Sequence, residues 1–277
     1  MDLLIISAVL LFAGGFVVLL AEKVDTTRNR VRCASNLRQI GQAILLYGNE
    51  NRGAYPRATY DPAKADHPVA YTNPKPQLTD DEKTNNVRPT FCAAGPAPND
   101  ITAAVFLLIL NEEIGPDVFT CPTARAIAAT QPSDVADPKT DCNFSEPGQL
   151  DYSFVNVYPG EAAVDAGYKI DTMAPGEFAV AADINPGVDE LLTTTRNADA
   201  EAMKKINSPN HEGDGQNVLY ADGHVEFQQH PFCGMDRDNI YTFGPAGDAE
   251  HSGIIGSPTG PGDSVLLPTA KQTAEKK

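Results

Sequence analysis

Residues 211–227 read HEGDGQNVLYADGHVEF, and the way this stretch pairs with itself sets the fold class. Asp222-Gly223 is a turn signal between two apolar runs, because Gly accepts a positive φ freely and Asp does so better than most residues. With that pair in a two-residue turn, Ala221 faces His224, Tyr220 faces Val225, Leu219 faces Glu226 and Val218 faces Phe227. Val218, Tyr220, Val225 and Phe227 then share one face, which predicts an antiparallel hairpin over 217–227 with a single buried side. The hairpin accounts for Asp222 and Gly223 but not for His211, Asp214 or His224. Carboxylates and imidazoles both ligate divalent ions. His211 and Asp222, joined by Asp183 from the turn ADINPG (182–187), are therefore the candidate metal ligands. Their spacing matches neither HExxH nor an EF-hand loop, and polar residues capping a hairpin and the loop before it are the competing explanation.

Upstream of the hairpin, YSFVNV (152–157) and FAVAA (178–182) read as strands, the second running into the turn Asn185-Pro186-Gly187. Asn99-Asp100 offers a helix N-cap before ITAAVFLLILNEE, which is apolar nearly all round and too short to cross a bilayer, so it is expected as a buried core helix. VFTCP (118–122) reads as a short strand ended by proline. Residues 57–98, rich in Pro, Asp, Asn and Thr, are expected as a loop-rich insertion, and 244–277, rich in Gly, Pro and Thr, as a flexible tail. An α+β head domain is thus expected over 99–243.

The N-terminal part differs in character. LLIISAVLLFAGGFVVLLA (3–21) holds no charge and is long enough, as a helix, to cross a hydrocarbon core. Asp2 stands where a signal peptide carries basic residues, which favours a retained anchor over 1–21 against a cleaved signal. From 22 to 56 the chain meets no Pro before Pro56. Val31, Ala34, Leu37, Ile40, Ile44 and Leu45 recur at three- and four-residue steps, so an amphipathic stem helix is expected to continue from the anchor, about 75 Å in all. Lys23, Arg28, Arg30 and Arg32 would hold the following domain in the cytoplasm by the positive-inside rule, whereas five cysteines in a loop-rich body suit an oxidising compartment.

The net charge of −16 repels nucleic-acid phosphates, so no DNA or RNA partner is expected. No G-x-S-x-G elbow, P-loop or Cys/His signature is present, and catalysis is not expected. Cys33 reads as a small packed residue of the stem. Cys92, Cys121, Cys142 and Cys233 allow three ways of making two bridges, of which Cys121–Cys142, flanking one loop, is preferred.

Several blocks taken together are familiar. RVRCASNLRQIGQAILLYGNENRGAYP resembles the stem helix of bacterial type IV pilin-like and type II secretion pseudopilin-like proteins with a prepilin-type N-terminal helix and a C-terminal H-x9-DG motif. NDITAAVFLLILNEEIGPDVFTCP, DYSFVNVYPG, FAVAADINPG, NSPNHEGDGQNVLYADGHVEF and DNIYTF resemble head-domain blocks of that family, in order, over most of residues 31–243. Here ten residues separate His211 from Asp222, not nine. The chain as it starts, MDLLIISAV, shows no basic leader or G-F-T-L-x-E junction, which sets the expectation that conventional prepilin processing does not apply.

The resemblance implies a lollipop, with a long transmembrane-plus-stem helix packed on an antiparallel sheet in an extracytoplasmic head. It implies single-pass residence in the cell membrane, homo-oligomers or other pilin-like or membrane subunits as partners through the N-terminal helix, and a structural role in a filament, pseudopilus or envelope complex. In related pseudopilins a calcium ion organises the C-terminal loop, so Ca2+ is the implied cofactor. The alternatives are a monomeric anchored domain that binds a metal or ligand, with or without hydrolytic activity, and an accessory subunit of an unrelated membrane complex.

Overall fold

The computed structural model describes residues 27–72, 95–112, 114–127, 136–138, 140–244 and 252–272. Helix α1 occupies 27–50 and ends in a turn where Arg52 and Gly53 both take positive φ. Helix α2 follows at Ile101–Glu112, capped as expected by Asp100, whose Oδ1 accepts from the Ala103 amide at 3.0 Å. The short helices α3 (Pro122–Ile127), α4 (Glu161–Asp165) and α5 (Ala200–Ile206) alternate with strands β1 (Tyr152–Val155), β2 (Ala179–Asp183), β3 (Gln216–Tyr220), β4 (Val225–Gln228) and β5 (Leu266–Leu267). The strands form one antiparallel sheet in the order β4-β3-β2-β1-β5.

Helix α1 lies against this sheet through Cys33, Leu37, Ile40 and Ile44, all buried. Gly41 marks a close approach: a Cβ there would meet Leu219 Cδ1 of β3 at 3.0 Å. Ile44 of α1, Ile101, Val105 and Leu108 of α2, and Phe154 and Val180 of the sheet line one apolar seam. Phe106, Phe144, Phe119 and Phe154 carry the core onward through ring contacts centred 5.2–6.3 Å apart.

Several expectations are corrected. Among the described residues no helix is long and apolar enough to cross a membrane. The transmembrane-plus-stem helix, the lollipop built on it and the single-pass membrane localisation therefore do not hold there, while residues 1–26, on which the anchor reading falls, lie outside the described residues. The physical reason is visible in α1, a charged amphipathic helix with one side laid on the sheet and not an apolar shaft. Of its predicted stripe, Val31 and Leu45 are exposed.

The hairpin forms, but one residue out of the predicted register. Asn217 pairs with Phe227, Val218 with Glu226 and Leu219 with Val225. Tyr220 is then joined to His224 across a three-residue loop, closed by Gly223 at φ +88. Every residue of β3 is buried, so the apolar alternation used to choose the register does not discriminate between the two faces. VFTCP is helical on both sides of Cys121 instead of a strand, with a 3-10 turn at Pro116–Phe119 and α3 after it, because Pro116 and Pro122 both suit the first turn of a helix. Within the predicted insertion, 57–72 and 95–98 are ordered. A 3-10 turn at Pro62–Lys64 is capped by Asp61, and Val69 bridges Asp100; 73–94 lie outside the described residues.

The predicted flexible tail is also corrected. Residues 252–272 return to the head, where β5 pairs with β1 and Val265, Leu266 and Leu267 are fully buried. Asp263 and Asp238 anchor this return. Asp263 Oδ2 accepts from the Gly244 and Thr259 amides at 3.0 and 2.7 Å, and Asp238 Oδ2 accepts from the Ser264 amide at 2.9 Å. Burial, followed by the charge of Asp263, pushes the Asp238 carboxyl up to about 8. The folded state therefore keeps a proton that the unfolded chain loses near pH 4. Stability from this group is full below pH about 4 and falls as pH rises to about 8. Asp238→Asn is expected to flatten that fall and to raise the melting temperature at pH 8 by several degrees, read by calorimetry across pH 4–9. An unchanged pH slope counts against a protonated Asp238.

Candidate functional site

Four side chains from four places in the chain meet under α1. Cys33 comes from α1, Cys121 from the residue before α3, Asp183 from the last position of β2, and His211 from the 3-10 turn Pro209–His211. Their ligand atoms all lie within 4.8 Å of one another, and each residue is buried. The local sequence explains each placement. Pro122 starts α3 immediately after Cys121, and the Cys121 amide is held by Asp151 Oδ2 at 2.8 Å. Ser208 and Pro209 open the turn that carries His211, and Glu212 closes it at φ +59.

Asp183 is the centre. Its Oδ2 accepts from the Asn217 amide at 2.6 Å and from Asn217 Nδ2 at 3.0 Å, and lies 3.0 Å from His211 Nε2. Its Oδ1 accepts from Asn210 Nδ2 at 3.2 Å. Asn217 Nδ2 also reaches the Arg30 carbonyl of α1 at 3.4 Å, and Asn36 of α1 donates to the Thr120 carbonyl at 3.0 Å and to the Tyr152 hydroxyl at 3.2 Å. Arg30 stacks over the Phe227 ring at 3.7 Å, and the same ring meets His211 edge-on. The cluster thus ties α1 to β1, β2, β3 and β4 at once. His211 Nδ1 is left without a hydrogen-bond partner.

The thiols are 2.7 Å apart, Cys33 Sγ to Cys121 Sγ. The contact with Cys121 raises the Cys33 thiol well above its ordinary range, and burial and the Asp183 charge push the same way. Burial likewise raises the neighbouring Tyr152 and Tyr241 hydroxyls.

Of the predicted ligands, the structure brings His211 and Asp183 together and leaves Asp222 apart. Asp222 sits in the hairpin loop five residues beyond Asn217, about 16 Å along an extended strand. There its carboxylate pairs with the exposed His224 at 2.5 Å and is lowered first by the His224 amide. Asp214 is also outside the cluster, paired with Lys204 and Arg30 on the surface. The Cys121–Cys142 bridge does not form: Cys142 is disulfide-bonded, whereas Cys33, Cys121 and Cys233 are free. Cys33 and Cys121, 88 residues apart, carried no local spacing signal that could have joined them.

Calcium does not fit this group, since it requires six to eight oxygens and the cluster supplies a single carboxylate whose two oxygens face four donors. Two thiolates, an imidazole and a carboxylate match zinc by type. Two sulfurs on one tetrahedral zinc, however, stand about 3.7 Å apart, against 2.7 Å here, and three donors already crowd Asp183 Oδ2. With Cys33, Cys121, Asp183 and His211 all fully buried, the cluster is suited to holding elements together. Compared with protein-family models, with curated proteins and with solved structures, the chain matches none.

Proposed function

We propose that this protein is a non-catalytic, pilin-like structural subunit that assembles with copies of itself or related subunits through α1. The observation that carries this reading is the two-sidedness of α1. Cys33, Leu37, Ile40 and Ile44 are buried in the head, while Val31 and Leu46 stand 61% and 54% exposed on the outside of the same helix, with Leu45 beside them. Large exposed apolar side chains on a helix already anchored on one side are suited to packing against a second helix. The buried Asp183–His211 cluster supports the same reading, because it fixes the helix to the head.

The test is sedimentation velocity on the full chain over a concentration series, with Val31→Glu/Leu46→Glu alongside. Concentration-dependent association of the unmodified chain is expected, weakened about tenfold or more in the variant. A strict monomer at every concentration, or association equal in both proteins, overturns the reading.

A further inference from the structure

We propose that Cys33 and Cys121, both free thiols in this structure, are oxidised to a disulfide that fastens α1 covalently to the head. Two elements 88 residues apart bring their sulfurs to 2.7 Å, closer than two unbonded sulfurs rest. Neither position is free to drift: Cys33 lies within α1, between Arg30 and Asn36, which both contact the head, and the Cys121 amide is held by Asp151. The competing occupant, a tetrahedral metal ion bound by both sulfurs, would hold them about 3.7 Å apart, about 1 Å further than they stand. Cys142 is itself disulfide-bonded, which indicates a chain that folds where disulfide donors are present.

The chemistry is thiol–disulfide exchange. The thiolate of one cysteine attacks a disulfide-donor oxidoreductase and forms a mixed disulfide. The thiolate of the other then displaces the donor. The two cysteines lose two protons and two electrons, and the donor disulfide takes up the electrons to become a dithiol. Both sulfurs are fully buried in the folded head, so the exchange takes place before α1 docks, and the finished bond is shielded from reductant afterwards.

The test uses the full chain folded with an oxidised glutathione buffer, denatured without reductant in the presence of a maleimide, digested and mapped by mass spectrometry. A cross-linked peptide pair holding Cys33 and Cys121, with Cys233 alkylated, is the expected result. A phosphine reductant is expected to open the bond rapidly in denaturant and slowly in the folded protein. Cys33→Ser/Cys121→Ser, which leaves the disulfide of Cys142 in place, is expected to lower the melting temperature by about 10 °C. Alkylation of both Cys33 and Cys121, either sulfur bonded elsewhere, or one equivalent of zinc released on denaturation overturns the proposal.

Discussion

Asp183→Ala is expected to destabilise the fold by about 3–5 kcal/mol, the scale of removing one partner from a buried charged network. The loss is large because the carboxylate answers so many donors. Without it the Asn217 amide, Asn217 Nδ2, Asn210 Nδ2 and His211 Nε2 all face an apolar methyl in a space closed to water. Asp183→Asn keeps one acceptor and turns an amide nitrogen toward donors on the other side, so its loss is expected to fall between alanine and wild type. Guanidinium melts of the three proteins check this order. A loss under about 1 kcal/mol for alanine, the range of an exposed ion pair, shows that the cluster does not hold α1 in place.

Gly215→Ala is the other change with a large expected effect. Gly215 takes φ +150 just before β3, and a Cβ there would lie 2.3 Å from the Gln228 carbonyl oxygen and 2.7 Å from the Phe227 ring. The oxygen belongs to backbone paired with β3 and cannot retreat, and Phe227 is pinned between Arg30 and His211. A loss of about 4 kcal/mol or more, read as failure to recover folded protein, is expected. Gly223→Ala is the control. Gly223 also has a positive φ, but a Cβ there meets nothing within 4 Å, so only the conformational cost of about 1 kcal/mol remains. Equal losses at both positions refute the steric account of Gly215.

Features governed by local rules were legible in the sequence. The Asp100 cap, the all-round apolar pattern of α2, the strands near 152 and 179 and the existence of the hairpin all follow from neighbours a few residues apart. The buried set of α1 was half legible. Leu37, Ile40 and Ile44 lie where the periodicity puts them, but Val31 and Leu45 sit about a third of a turn away from the face that meets the sheet. Features set by distant partners were not legible. Asp222-Gly223 reads as a motif, yet the partner His211 finds is Asp183 on β2, a neighbour only once β2 and β3 have paired. Proximity along the chain points Cys121 to the nearest loop, and nothing local to residue 33 indicates that the two thiols meet. Two leucines between glycines, prolines and threonines gave no strand pattern, since β5 owes its existence to the open edge of β1.

The contacts of α1 also bear on how the protein is made. Its apolar side rests on strands that lie far downstream, and the contact between Arg30 and Asn217 spans 187 residues. At ordinary rates of synthesis the helix leaves the ribosome roughly 10–40 s before its last partner is translated. The part of α1 that meets β3, at Arg30 and Gly41, is uncovered through that interval, so the first described segment to be translated is among the last to be fully packed.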